Sequence, residues 1–232
     1  PLYNWQKLKE TNYSWWVERV RANLSTCDII RIDHFRGFEA YWAVPYGDDT
    51  AINGQWEPGP GIDLFNAIKS QLGELPIIAE DLGLMTQGVI DLREATGFPG
   101  MKILGFAFDS GEENDYLPHT YTKNCVVYTG THDNDTLIGW FQKAKEEDRQ
   151  FARDYLNSRS DDEIHWDAIR GAWSSVANMA ISPVQDFLGL GSEARINTPG
   201  VAAGNWQWRL RHGVLTDELA ERIAKLTRVY SR

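Results

Sequence analysis

Three short apolar runs, each ending in acid, constrain this chain more than any other feature. Asp28-Ile29-Ile30-Arg31-Ile32-Asp33 leads into His34-Phe35-Arg36. Pro76-Ile77-Ile78-Ala79 stops in Glu80-Asp81. Val126-Val127-Tyr128 runs through Thr129-Gly130-Thr131 to His132-Asp133-Asn134-Asp135. Short β-branched runs of this kind predict buried strands. Side chains alternate along a strand, so Ile29, Arg31 and Asp33 share one face while Ile30 and Ile32 share the other. Arg31 and Asp33 therefore project together from a strand end, either as a structural ion pair or as an oriented carboxylate poised as a nucleophile. Three strands that each deliver acid at the C-terminal end are hard to explain as three independent ion pairs. Carboxylates gathered on one rim are what a (β/α)-barrel active site requires.

The segments between these runs alternate in kind. Residues 12–26 predict a helix, with Trp16, Val17, Val20 and Leu24 at helical spacing. Asp63 is placed to cap a helix carrying Leu64, Ile68 and Leu72, which stops at Gly73. Thr86 and Gly97 bound the next helix. A strand-like run from Met101 to Phe108 closes in Asp109. After the 125–131 strand, a helix runs through Leu137, Ile138 and Phe141, and residues 142–163 read as a charged, solvated helical excursion. Ser160 and Glu163 have the spacing of a capping box for a helix through Ile169, Trp173 and Val176. A last strand is expected over 179–184, and a final helix, capped by Thr216, carries Leu219, Ile223 and Leu226. Five strands alternating with helices predict an α/β fold with parallel pairing; a closed barrel needs eight. Residues 37–62 predict a long loop, with turn signals at Asn53-Gly54 and Pro58-Gly59-Pro60-Gly61. Its Tyr41, Trp42, Tyr46 and Trp56 mark it as functional, because disordered loops are poor in aromatics.

Composition removes several function classes. A formal net charge of −10 argues against nucleic acid or an anionic membrane as partner, since both need clustered Lys and Arg. No apolar run approaches the about 20 residues of a membrane helix. Cys27 and Cys125 stand far apart in no metal-like spacing and predict buried free thiols in a reducing, cytoplasmic compartment. The acid pairs Asp48-Asp49 and Asp161-Asp162 lack the alternating ligand spacing of a calcium loop and read as solvated surface. No GxGxxG follows a strand, so no dinucleotide is expected.

Four blocks, in order and spacing, resemble the 4-alpha-glucanotransferase family, the amylomaltases or disproportionating enzymes related to the α-amylases. They are Arg31-Ile32-Asp33-His34-Phe35-Arg36-Gly37-Phe38, Ala79-Glu80-Asp81-Leu82-Gly83, Gly97-Phe98-Pro99-Gly100-Met101-Lys102 and Thr129-Gly130-Thr131-His132-Asp133-Asn134-Asp135-Thr136. Pro183-Val184-Gln185-Asp186, Gly191-Ser192-Glu193-Ala194-Arg195 and Asn197-Thr198-Pro199-Gly200 extend the resemblance over essentially the whole chain. The resemblance implies a partial (β/α)8 barrel. Residues 1–232 would form the C-terminal part of the catalytic barrel, strands four to eight with their helices. The earlier strands would belong to a missing N-terminal half of the same polypeptide, preceding the Pro1-Leu2-Tyr3 opening.

It further implies a retaining enzyme that transfers α-1,4-glucan segments between maltooligosaccharides through a covalent glucosyl-enzyme, with no cofactor and no metal. Asp33 would be the nucleophile, Glu80 the general acid/base and Asp133 the transition-state stabiliser. Arg31 and His132 would support them at the substrate. The residues alone leave Glu80 against Asp81, and Asp133 against Asp135, open; the resemblance makes the choice and leaves Asp81 and Asp135 to hydrogen bonding or helix capping. Trp56 is expected at the rim, against glucan or in plain loop packing. Asn197 either lines the sugar site or merely belongs to a Pro-Gly turn. An α-glucan hydrolase of the amylase class and a catalytically incomplete glucan-binding fragment are the alternatives.

Overall fold

In the computed structural model the acid-tipped runs are strands, and the chain divides into two units, Pro1–Met101 and Lys102–Arg232. Residues 2–83, 85–109 and 114–232 are described. The first unit opens with α1 (Trp5–Glu10) and α2 (Ser14–Leu24), joined through Asn12 and Tyr13 in left-handed conformation. The helix expected over 12–26 is α2. Helix α1 escaped the sequence reading because none of its six residues is buried, so it carries no apolar period. It is capped instead by Asn4, which accepts the Lys7 N–H at 3.0 Å. Strand β1 (Ile30–Ile32) follows, then a 3-10 turn over Phe35–Phe38.

The long loop expected over 37–62 is largely an antiparallel hairpin, β2 (Ala40–Ala43) and β3 (Gln55–Pro58), with Trp42 opposite Trp56 and Tyr41 opposite Glu57. Each strand is only four residues long and half exposed, so it shows no clean alternation, and the turn residues between the two dominate the composition. Helix α3 (Ile62–Leu72) starts after Gly61, one residue before the predicted cap. Asp63 binds Lys9 Nζ at 2.6 Å instead. Gly73 ends the helix at a φ of 80°, which an L side chain rarely adopts. Strand β4 (Ile77–Ala79) pairs with β1 in parallel, Ile30 with Ile77 through Ile32 with Ala79. Helix α4 (Gln87–Thr96) lies between Thr86 and Gly97 as read. Phe35, Phe38, Phe65 and Phe98 form the aromatic centre of this unit's core, with Leu64, Ile68 and Val89 around them. Each such side chain contributes about 1.5–3 kcal/mol by leaving water.

Strand β5 (Gly100–Ile103) carries the chain into the second unit and heads a sheet of order β5-β6-β7. It stops five residues short of the expected Phe108 and bends into a 3-10 turn, Leu104–Phe106. Leu104, Ala107 and Phe108 are all buried, so an apolar run that looked like strand is core turn. Strand β6 (Cys125–Tyr128) is followed by α5 (Leu137–Lys143), α6 (Glu146–Leu156) and α7 (Ile164–Trp173). Strand β7 (Met179–Ile181) is parallel to β6 and precedes a short α8 (Val184–Phe187) and a long α9 (Asp217–Tyr230).

The capping box at Ser160 does not form. Ser160 accepts the Asp162 N–H at 3.3 Å and caps a 3-10 turn, while Glu163 pairs with Arg222 of α9. Thr216 caps α9 as read, accepting the Leu219 N–H at 3.2 Å. Leu219, Ile223 and Leu226 lay that helix on a core of Leu104, Phe108, Leu117, Val127 and Ile169. The thiol expectation holds for Cys125 but not for Cys27, which follows the end of α2 and is exposed. Among the described residues, no helix is long and apolar enough to cross a membrane.

Candidate active site

The first unit builds its site from two strand ends. Beyond the paired residues, the Glu80 N–H donates to Ile32 O and the Phe35 N–H to Glu80 O, both at 2.9 Å. The register of β1 and β4, carried one step on, therefore sets Asp33 opposite Glu80 on neighbouring strands about 4.8 Å apart. The Asp33 side chain is 80% exposed, and Arg31 holds its Oδ1 at 2.5 Å. Among the described residues Glu80 is held by backbone N–H groups: Oε2 accepts the His34 N–H at 2.6 Å and Oε1 the Leu82 N–H at 3.0 Å. His34 reaches this position in a left-handed conformation, φ 51° and ψ 53°, which is uncommon for a residue with a Cβ.

Asp81 is differently placed. Its side chain is 7% exposed, with one oxygen accepting the Met101 N–H and the other Arg93, each at 2.7 Å. Gly100 packs so closely that a Cβ there would lie 2.3 Å from Asp81 Oδ2. Of the two successive acids, one lies half-buried on the strand end next to that of Asp33 and the other belongs to the framework.

An open cleft of about 330 Å³ adjoins Asp33 and His34 and is walled by Tyr3, Trp5, Trp16, Phe38 and Tyr41. Trp56 does not line it. Tyr41 and Trp42 point to opposite faces of β2, and Trp56 stands across from Trp42, ring centroids 5.4 Å apart, with the Arg36 guanidinium 4.5 Å from its own centroid. Trp56 is 53% exposed, on the face of the hairpin away from the cleft side chain Tyr41. Sequence reading named Trp56 and missed Tyr3 and Trp5, which lie in an unassigned segment ahead of the first predicted helix.

In the second unit, the loop after β6 is shaped by Asn134, whose Oδ1 accepts the Thr131 N–H at 2.8 Å and its hydroxyl at 2.9 Å. Asp133 Oδ1 accepts Asn197 Nδ2 at 2.6 Å, and Oδ2 lies 3.3 Å from His132 Nε2. Arg195 donates to the Asp133 carbonyl at 2.6 Å and to the Asn197 carbonyl at 2.8 Å. Trp206 packs on His132, ring centroids 5.2 Å apart. His132, Asp133 and Asn197 are thus brought together. Arg195 and Trp206 join them, although nothing in their spacing said so. Asp135 is embedded: it accepts from Lys143 and the Ser192 hydroxyl at 2.7 Å and from the Thr136 N–H at 2.9 Å. Burial pushes its pKa up, but those three donors together outweigh burial and hold it below the usual carboxylate range.

Among the described residues, no three His, Cys, Asp or Glu side chains are grouped to hold a metal ion. What the first unit offers is a pair of carboxyls on neighbouring strand ends, one exposed beside a guanidinium and one fixed by backbone N–H groups. Such a pair can flank an acetal carbon, one attacking and one managing the proton of the leaving oxygen.

A family model described as 4-alpha-glucanotransferase matches residues 1–216. The chain is 53% identical over 233 residues to the 4-alpha-glucanotransferase of Clostridium butyricum, covering 100% of this chain and 48% of that protein. It is 53% identical over 234 residues to the 4-alpha-glucanotransferase of Synechocystis sp., covering 100% of this chain and 46% of that one. Among solved structures, an amylomaltase from Streptococcus agalactiae in complex with acarbose matches with a TM-score of 0.96 at 39% identity, over 100% of this chain and 47% of that chain. The chain spans about half the length of the curated relatives it matches.

Proposed function

Since this chain belongs to the 4-alpha-glucanotransferase family, we propose that it carries the catalytic carboxylates of a retaining transferase acting on α-1,4-glucans. The observation that carries this reading is the β1–β4 register, which sets Asp33 beside a backbone-held Glu80. Retention needs two carboxyls about 5–5.5 Å apart, a spacing that side chains on adjacent strand ends can adopt. Asp33 attacks the anomeric carbon as Glu80 gives its proton to the departing glycosidic oxygen, leaving a glucosyl ester on Asp33. In the second half the 4-hydroxyl of an acceptor maltooligosaccharide gives its proton to Glu80 and attacks the same carbon, and Asp33 departs as carboxylate. Arg31 orients the nucleophile. Asp133, held by Asn197 with His132 beside it, binds sugar hydroxyls as charge develops on the ring. The aromatic wall of Trp5, Trp16, Phe38 and Tyr41 near Asp33 favours a sugar face over water, and so transfer over hydrolysis.

The same reading takes residues 1–232 as strands four to eight of a (β/α)8 barrel, completed by a complementary N-terminal segment. Support comes from the two parallel pairs, from the Ala79 N–H to Pro99 O hydrogen bond at 2.9 Å that leads from β4 towards β5, and from the share of the relatives' length that the chain spans. An exposed Cys27 that forms no disulfide fits a reducing cytoplasm.

The test is incubation with maltotriose, of the chain alone and mixed with the complementary N-terminal portion of the Clostridium butyricum relative, with products resolved by chromatography. Glucose plus a ladder of longer oligosaccharides is expected. Glucose and maltose alone would make it a hydrolase. No products from either sample, with the intact relative active, would overturn catalysis by this chain. Asp33→Asn should abolish the ladder while calorimetry still detects oligosaccharide binding; near-normal turnover would remove Asp33 as nucleophile.

A further inference from the structure

We infer that Asp186 is a positioning residue that holds the His132–Asp133 loop from both ends. The inference rests on the role proposed for Asp133 and names what keeps that carboxylate in place.

Asp186 lies in α8 and is 2% exposed. Its Oδ2 accepts the Thr129 hydroxyl at 2.6 Å and its Oδ1 the Leu137 N–H at 2.9 Å. Thr129 directly follows β6 and Leu137 opens α5, so a single carboxylate ties together the two points between which the 130–136 loop is strung. Thr129 is itself buried, so its hydroxyl has little access to water as an alternative partner. The segment that carries Asp186 returns to the same loop three more times. Ser192 binds Asp135, Arg195 binds the Asp133 carbonyl and Asn197 binds the Asp133 carboxylate.

The chemistry of the site argues against a merely structural role. Both donors to Asp186 are neutral, and the nearby charge that acts on it is another carboxylate, Asp135. Burial pushes the Asp186 pKa up, against the two hydrogen bonds that lower it. A buried carboxyl without a counter-ion is costly to keep, and an apolar or amide side chain would serve packing better. What the carboxylate alone supplies is two acceptor oxygens, diverging from one rigid point, for two donors at opposite ends of a loop. Displacing a reacting group by about 1 Å can cost about a hundredfold in rate, so that geometry has a function to protect.

Two variants separate positioning from stability. Asp186→Asn keeps the shape, but with its oxygen on the Leu137 N–H it presents an NH2 to the Thr129 hydroxyl, which must turn round to accept and so loses the acceptor for its own proton. Thr129→Val removes only a hydroxyl at nearly constant volume and is the variant that decides should Asp186→Asn fail to fold. The whole chain, labelled with 15N, has five histidines. Its imidazole spectrum is therefore assignable, and His132 is identified by its loss in His132→Gln. Both variants should move the His132 signals and leave those of His119, whose ring meets the Tyr155 hydroxyl at 3.0 Å, in place. In the preparation that turns over maltotriose, kcat should fall about 10- to 100-fold with KM changed less than about twofold, and Thr129→Ser should restore most of what Thr129→Val loses. A folded Thr129→Val with unmoved His132 signals and full kcat overturns the inference. Asp133→Asn is measured alongside. If it turns over normally, the Asp133 reading fails and the His132 signals alone judge the positioning. If it is inactive while Asp186→Asn and Thr129→Val are fully active, only the positioning fails.

Discussion

Asp81→Ala should cost stability and Glu80→Gln activity, although the two residues are neighbours. The Asp81 carboxylate takes the Met101 N–H and the Arg93 guanidinium, each at 2.7 Å, with side-chain exposures of 7% for Asp81 and 17% for Arg93. Alanine leaves a largely buried cation uncompensated and a backbone N–H unpaired. Among the described residues the other acid paired with Arg93 is Glu94, at 3.9 Å and well exposed, too weak a partner to replace Asp81. Removing one member of a buried pair costs about 3–5 kcal/mol. A unit of this size is stable by about 5–15 kcal/mol in all, so at least about a fifth of its margin goes. Urea unfolding followed by far-UV circular dichroism should show the midpoint falling by about 2 M, for a slope of about 2 kcal/mol per molar. The double variant Asp81→Ala/Arg93→Met removes both charges and should recover about 2 kcal/mol of the loss, since no ion is then left buried alone. Glu80→Gln forfeits one acceptor for a backbone N–H, about 1 kcal/mol, and should be inactive. A loss below about 1 kcal/mol in Asp81→Ala, or a double variant no better than the single, would refute the assignment of Asp81 to the framework.

Further outcomes follow from single contacts. Burial holds the His165 pKa below its ordinary value, Arg222 adding to the effect while Glu163 and Asp167 oppose it. The unfolded chain therefore binds that proton more readily, and stability should fall as the pH drops from about 6.5 towards the lower folded value; His165→Gln should flatten the difference between urea midpoints at pH 7.5 and 5.5, and an unchanged difference would remove His165 as its source. Asp135, with its pKa depressed, contributes stability that persists above about pH 4 and is lost only in stronger acid, so Asp135→Asn should leave that pH 7.5-to-5.5 difference alone and reduce the further loss seen below pH 4. Arg232 donates to the carbonyls of Trp173, which ends α7, and of Ser175 and Ala177 beyond it, and Arg232→Ala should cost about 2 kcal/mol, read as a fall of several degrees in Tm; an unaltered Tm would mean that water replaces the guanidinium freely.

What was legible in the sequence was local. Helices α3 and α4 show their apolar stripes and their terminal glycines within a dozen residues, and β1, β4 and β6 are β-branched runs too short to be anything else. The failures share a cause as well. Hairpin β2–β3 is defined by pairing across an intervening turn, and neither strand has a period of its own. The β5 run reads as strand to Phe108 because burial of Leu104, Ala107 and Phe108 looks the same in one dimension whether the chain extends or turns. Glu163 has box spacing from Ser160, but Arg222 of α9 offers it a charge, and a charge-assisted bond outweighs a cap.

The site divides along the same line. That Asp33 and Glu80 end strands follows from two runs of equal character, each closing in acid; that the strands are neighbours is seen only in the β1–β4 pairing. Which of Glu80 and Asp81 is available for chemistry does not follow. Successive strand residues face opposite ways, so one of the two must turn inward, and alternation cannot say which. What the structure adds is that Arg93 and Met101, 12 and 20 residues downstream, engage both oxygens of Asp81. For Asp133 and Asp135 alternation is no guide, because they sit in a loop. There Asp133 is held by Asn197, 64 residues on, and Asp135 by Lys143 and Ser192, 8 and 57 residues on. The surroundings of each carboxylate are set by donors far along the chain, and the donors are what a linear reading cannot place. The sequence signal worth seeking is therefore less the acid itself than the arginine, serine or backbone turn that removes its neighbour from contention.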